Sequence, residues 1–146
     1  MFNRSALTNV TIGSNVSAIG ISCFVDCKNL TDVTTYDKLK VIDDYAFKDC
    51  TNLRHVSFLD KSNKNAVYAI GDSAFANTGL EDVTITLSGT STNTYIMPYA
   101  FANCTKLKSM TNVRSNYLAN YEFANCTSLT SINLPDSHSF MGEGVF

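Results

Sequence analysis

A short motif of the form A-F-x-x-C-x-x-L recurs along the chain, and its period constrains the fold more than any other feature. The clearest copy, residues 99–107, reads YAFANCTKL. Successive aligned phenylalanines are separated by 22, 23, 28, 26, 22 and 23 residues, and they are Phe2, Phe24, Phe47, Phe75, Phe101, Phe123 and Phe146. This spacing predicts one unit of about two dozen residues, repeated about six times.

The units predict a single array over residues 1–146, in which each unit forms one coil. The unit boundaries lie near 2–24, 24–47, 47–75, 75–101, 101–123 and 123–146. Because the chain stops on Phe146 within a unit, we expect it to be a fragment of a longer array.

Each unit contains two apolar clusters that predict extended segments. The first has the form L-x-x-V-x-I, as in Leu53, Val56 and Phe58, and its polar interruptions indicate a strand with one buried face. The second is marked by an aliphatic residue five positions before each phenylalanine, such as Ile70. A tight turn and then one helical turn carrying the phenylalanine and cysteine are expected to follow it. Stacked coils would place the phenylalanine rings about 5 Å apart in an inward column.

These residues resemble the BspA-type, or Treponema pallidum-type, leucine-rich repeat family. Residues 129–135, LTSINLP, match the strand half of its unit, and residues 70–75, IGDSAF, match the turn half. The chain departs from the pattern where Thr78 replaces a cysteine and where the proline after the strand is kept only at Pro135.

The resemblance implies an α/β fold, a right-handed leucine-rich-repeat solenoid. One parallel-sheet strand per coil would line the concave side. A short extended segment and one helical or 3-10 turn would form the convex side. The family also implies an extracellular or cell-surface location and adhesion to host extracellular or cell-surface proteins.

Charge and hydropathy favour neither nucleic acid nor membrane as a partner. The net charge is -2, and Lys and Arg are dispersed rather than gathered in a basic stripe. No stretch approaches the roughly 20 apolar residues of a membrane span, and the N-terminus has no basic segment followed by an apolar run. We therefore expect no membrane insertion and no signal peptide in this chain.

Catalytic, cofactor and metal sites are not expected. Four cysteines share one repeat position, and only Cys23 and Cys27 form a close pair, so the spacing does not match a zinc site. Small buried thiols fit better, although stacked neighbours such as Cys27 and Cys50 leave a disulfide conceivable. His55 and His138 stand apart from any triad-like arrangement. We therefore expect a protein that is not an enzyme and needs no cofactor.

Two adjacent units are longer than the others, and the extra residues predict neighbouring loops at one edge of the array. The segment between the last apolar residue of the strand and the next aliphatic residue is longer after Phe58 and again after Ile85. Polar and aromatic side chains in these loops suit protein contacts. The candidate protein-binding edge consists of Leu59, Lys61, Lys64, Tyr68, Thr90 and Tyr95.

Two functional readings follow from the pattern. The first is a non-catalytic protein-protein interaction or adhesion module of a surface or secreted protein. The alternative is a structural spacer segment of a larger surface or fibre protein with no ligand of its own. A binder should expose an apolar or aromatic patch, whereas a spacer should be polar throughout its surface.

Overall fold

The computed structural model describes residues 2–36, 38–59, 67, 69–84, 95–111, 117–134, 136 and 139–146, with residues 58, 59, 84 and 111 described by their backbone alone. The strands are β1 (Asn9–Thr11), β2 (Ala18–Ile19), β3 (Asp32–Tyr36), β4 (Val41–Ile42), β5 (His55–Leu59), β6 (Ala69–Ile70), β7 (Asp82–Thr84), β8 (Tyr95–Ile96), β9 (Ser109–Thr111), β10 (Tyr117–Leu118), β11 (Ser131–Ile132) and β12 (Phe140–Met141).

The strands pair in parallel with the equivalent strands of neighbouring coils, as expected of a leucine-rich-repeat-like solenoid. Odd-numbered strands form sheets in the orders β1-β3-β5 and β7-β9-β11, which together are called the first face. Even-numbered strands form sheets in the orders β2-β4-β6-β8 and β10-β12, which are called the second face. The registers join equivalent residues, for example Val33 with Val56 and Ile42 with Ile70. The prediction of a parallel solenoid is confirmed.

The phenylalanines form the predicted continuous column. Centroids of successive rings lie 5.2 to 6.0 Å apart and all the ring planes are nearly parallel, from Phe2 at one end to Phe146 at the other. The five internal rings are buried, whereas the two end rings are about half exposed. Each internal ring therefore depends on both neighbouring coils for its burial.

The segment that carries the phenylalanine differs from the helical or 3-10 turn expected from the sequence. The described residues contain no helix, because left-handed residues interrupt this segment. Around Phe47, both Tyr45 and Asp49 have positive φ. The N–H groups of these three residues donate to carbonyls of the next coil at 2.8 to 2.9 Å, while the N–H groups between them close turns within the coil. Because every second N–H group donates to the next coil, the turn forms a third inter-coil hydrogen-bond ladder in addition to the two strand faces.

Asparagine and aspartate occupy the left-handed position two residues after the phenylalanine, where their side chains form a further ladder. Nδ2 of Asn77 donates to Oδ1 of Asp49 at 2.6 Å. Asn103 donates to Asn77, and Asn125 donates to Asn103, both at 2.9 Å. Short polar side chains that tolerate positive φ therefore also link the coils.

Candidate protein-binding surface

The predicted edge falls largely outside the described part of the structure. Lys61, Lys64, Tyr68 and Thr90 lie outside the described residues. The backbone of Leu59 ends strand β5 on the first face. Tyr95 begins strand β8 on the second face, and its side chain is exposed. The structure therefore does not assemble these residues into one described site.

Tyr95 instead belongs to an exposed aromatic column on the second face, formed by Tyr95, Tyr117 and Phe140. These residues are the first residues of strands β8, β10 and β12, so they occupy equivalent positions in successive coils. Tyr117 is directly in register with Phe140. Tyr95 is 40% exposed and Phe140 is 58% exposed, while Tyr117 is half-buried. Burial raises the pKa of Tyr117, and the nearby Glu122 and Tyr95 raise it further.

The same position in the preceding coils carries small or aliphatic side chains. Strand pairing aligns Ala18 with Val41, Val41 with Ala69, and Ala69 with Tyr95. The second face therefore changes from small aliphatic to aromatic along the array. This signal was present in the sequence, six residues before each phenylalanine, but only the structure shows that Tyr117 and Phe140 are in register and that Tyr95 lies close to Tyr117.

Among the described side chains, the outward positions of the first face are mostly polar, but Tyr36 at the end of β3 is an exposed aromatic residue. Thr11, Thr34 and Ser57 are in register across strands β1, β3 and β5, and Thr84 is in register with Thr111. Threonine and serine are favoured on exposed strands, which explains this composition without a ligand. The second face, with Tyr95, Tyr117 and Phe140, therefore carries the larger group of outward aromatic residues among the described side chains.

A second aromatic group, with two exposed rings and one half-buried ring, lies on the turn ladder two residues before the phenylalanines. Tyr45, Tyr99 and Tyr121 occupy this position with positive φ. The rings of Tyr99 and Tyr121 stack with centroids 5.0 Å apart. The Tyr121 hydroxyl donates to Oε1 of Glu143 at 2.8 Å, and this hydrogen bond raises the pKa of Tyr121.

The cysteines contribute hydrogen bonds between coils. Sγ of Cys50 donates to the carbonyl oxygen of Phe24 in the preceding coil at 3.0 Å, and Cys27, Cys104 and Cys126 repeat this contact at 3.0 to 3.2 Å. All five cysteines are free thiols, and burial raises the pKa of Cys50 to about 12. A thiol that is neutral and hydrogen-bonded at physiological pH is a poor nucleophile, so its role is in packing. Of the two histidines, His55 is exposed on β5, and His138 lies outside the described residues.

The sequence matches the model of the BspA type leucine rich repeat region in six copies over residues 1–108 and 68–146. No curated protein matches it. The part of the chain that the structure describes includes no helix with the length and apolar character needed to cross a membrane.

Solved structures share the fold. A leucine rich cell surface protein from Faecalibacterium prausnitzii has a TM-score of 0.74 and 24% identity, over 92% of this chain and 34% of that protein. A leucine-rich repeat protein from Bacteroides ovatus has a TM-score of 0.54 and 24% identity, over 95% of this chain and 46% of that protein. The leucine rich repeat protein of T. pallidum has a TM-score of 0.60 and 19% identity, over 95% of this chain and 75% of that protein. The chain thus spans less than half the length of the first two.

Proposed function

Because the chain belongs to the BspA-type leucine-rich repeat family, we propose that it is a non-catalytic protein-interaction or adhesion module of a surface or secreted protein. Repeat solenoids generally present extended surfaces to protein partners. An extracellular or cell-surface location is supported by the F. prausnitzii structure, which is described as that of a cell surface protein. The partner we propose is a host extracellular or cell-surface protein.

The aromatic column of Tyr95, Tyr117 and Phe140 carries this proposal. Exposed aromatic residues at neighbouring positions are typical of interaction surfaces, where Tyr and Phe are enriched. Each ring adds a large apolar area with few rotatable bonds, so its immobilisation on binding costs little conformational entropy. A spacer with no ligand would not require an exposed aromatic column, and a polar surface would be expected there instead.

The test is capture of host extracellular proteins by the immobilised chain and by a column variant. The column variant carries Tyr95→Ser and Phe140→Ser, which change two exposed side chains and leave Tyr117 in place. The matched control carries Ile21→Ser and Tyr36→Ser, which also remove two exposed apolar side chains, 59% and 38% exposed, but from elsewhere on the solenoid.

We expect wild type and control to capture the same protein and the column variant to lose it. Equal capture by all three would reject the aromatic column as the site. Absence of capture by the wild type would favour the spacer alternative. The loop residues Lys61, Lys64, Tyr68 and Thr90 form a second proposed contact, and their combined replacement by serine in the same assay tests it separately.

A further inference from the structure

The tyrosines of the turn ladder form a column with one ring missing. Ser73 stands in the position that Tyr45 holds in the preceding coil and Tyr99 in the following one, and all three share a positive φ of 51 to 58°. Ser73 itself is almost fully buried, whereas Tyr45 and Tyr99 are 38% and 42% exposed. The two tyrosines stand two coil spacings apart, roughly 10 Å along the stack, and the coil between them contributes no ring at this position. This gap is called the serine slot.

One wall of the serine slot presents an aromatic face. The ring of Tyr99 stacks on Tyr121 on its far side, with an interplanar angle of 11°, so its other face is directed toward the coil of Ser73. On the opposite wall, Nζ of Lys48 lies 5.4 Å from the centroid of the Tyr45 ring. The chain itself therefore places a cation against a tyrosine of this column, as expected of a cation–π contact.

Uncompensated carboxylates lie beside the slot. Asp72 immediately precedes Ser73, and its Oδ1 accepts the Ser73 hydroxyl at 2.6 Å. Oδ1 of Asp44, in the preceding coil, accepts the backbone N–H of Asp72 at 2.8 Å. These contacts hold both side chains at the slot while neither forms an ion pair within the described residues. The slot therefore combines aromatic walls with two carboxylates, Asp44 and Asp72, against the one ammonium group of Lys48 at the Tyr45 ring.

We infer that the serine slot binds an arginine side chain from a basic segment of the partner protein. This inference rests on the proposed binding function and specifies the chemistry of the partner. A guanidinium group is planar and delocalised, so it stacks on aromatic faces and pairs with carboxylates at the same time. It would restore the missing layer between Tyr45 and Tyr99 while its edge faced Asp44 and Asp72. A lysine ammonium has no planar surface to fill the layer and stays more strongly hydrated.

The test measures binding of an acetylated Gly-Arg-Gly-Arg-Gly peptide amide by NMR shifts of the backbone amides. Peptides with lysine or neutral citrulline in place of arginine serve as ligand controls. Ser73→Tyr fills the slot with the residue that three other coils accept at the same φ. Asp44→Asn with Asp72→Asn removes charge while keeping the acceptor oxygens. Asp82→Asn with Asp136→Asn removes the same charge at two exposed residues elsewhere.

We expect the arginine peptide to shift Ser73 and Tyr99, and its Kd to rise at least about tenfold in the slot-filled and charge-removed variants, equivalent to about 1.4 kcal/mol. The variant with Asp82→Asn and Asp136→Asn should bind the arginine peptide with the wild-type Kd. The citrulline peptide should bind to the wild-type protein much more weakly than the arginine peptide does. Unchanged binding by Ser73→Tyr, or equal binding of arginine and citrulline, would overturn the inference. Capture through the aromatic column without arginine binding would reject the slot alone. Specific arginine binding without any captured protein would support the slot and reject the proposed function.

Discussion

Oδ1 of Asp44 accepts the backbone N–H of Asp72 from the next coil at 2.8 Å, and the Asp44 side chain occupies the space beside Gly71. A Cβ added to Gly71 would lie 2.4 Å from the Asp44 nitrogen and 2.5 Å from this oxygen. The backbone of residues 43–44 and the Asp44 side chain therefore both leave space only for glycine immediately before the donor.

The relationship recurs near the end of the array. Oδ1 of Asn120 accepts the N–H of Glu143 at 2.9 Å, and a Cβ on the preceding Gly142 would lie 2.4 Å from that oxygen. The coil after Asp72 has Pro98 at the donor position, which has no N–H. In both cases, the coil with the accepting side chain is followed by a coil that has glycine immediately before the donor residue.

Gly71→Ala should destabilise the protein, whereas Gly20→Ala should not. Both glycines stand four residues before a phenylalanine, but a Cβ on Gly20 would meet nothing within 4 Å. We expect Gly71→Ala to lower the free energy of unfolding by about 1–3 kcal/mol through overpacking. Gly20→Ala should leave it unchanged or raise it by about 0.4–1 kcal/mol by restricting the unfolded chain. Urea unfolding measures both, and equal midpoints would contradict the pairing of glycine with the Asp44 side chain.

Phe75→Ala should lower the free energy of unfolding by about 3–5 kcal/mol, because its ring is buried between two stacked neighbours. Phe146 is 62% exposed and stacks on Phe123 alone, so Phe146→Ala serves as the control, with an expected loss of about 1–2 kcal/mol. Thermal unfolding followed by circular dichroism compares the two. A Phe75→Ala melting temperature equal to wild type would reject the stacked column.

The asparagine ladder predicts graded effects at Asn103. Asn103→Asp keeps an acceptor for Asn125 but loses the donation to Asn77, so we expect a loss of about 0.5–1.5 kcal/mol in the free energy of unfolding. Asn103→Ala also places alanine at a φ of 59°, which lowers the free energy of unfolding by about 1–2 kcal/mol more. The exposed Asn29, replaced by alanine, provides a control with no expected effect. Equal urea midpoints for the two Asn103 variants would show that backbone conformation contributes nothing here.

Glu122 should make stability fall as pH rises. It occupies the position of Ala46, Ala74 and Ala100 and is fully buried, and burial raises its pKa from the ordinary 4.5 to about 8, partly offset by the hydrogen bond from the Ala119 N–H. Between these values the unfolded chain has released the proton and the folded chain retains it. The free energy of unfolding therefore decreases with pH across this interval, by up to about 1.4 kcal/mol per pH unit.

The comparison for Glu122 is with Glu122→Gln, which keeps the shape and an acceptor for Ala119 but does not titrate. Urea unfolding of both proteins from pH 4.5 to 8 should give a difference that grows in favour of the glutamine variant. Parallel pH profiles would show that the Glu122 carboxyl has the same pKa in the folded and unfolded chains.

Repeat residues explain why so much of the fold could be predicted. The phenylalanine interval indicated the stacked column, and alternation around Val56 and Phe58 indicated strands with one buried face. The family resemblance implied that these strands are parallel. The turn was harder, because the short A-F-x-x-C segment is compatible with a helical turn until the positive φ of residues such as Tyr45 and Asp49 is known. The sequence contained a weaker signal for this conformation in the Asn and Asp two residues after the phenylalanines.

The candidate site was less predictable. Inserted loops are visible in a sequence, and they led to Tyr95 among the edge residues. The register of Tyr117 with Phe140 depends on how strands from different coils pair, and the proximity of Tyr95 to Tyr117 depends on how the coils stack. The missing ring at Ser73 is recognised only when the side chains that flank it in space are known.

The sequence by itself determined the period, the residues that fill the core and the family, because burial of a repeated apolar set leaves few other ways to fold. Only the tertiary structure decided which outward residues become neighbours and which turn N–H groups bond across coils. Those relationships join residues more than twenty positions apart, and their chemistry arises only when the coils stack. The A-F-x-x-C motif therefore sets the spacing of the array, while the aromatic column and the serine slot arise from what each coil places beside the next.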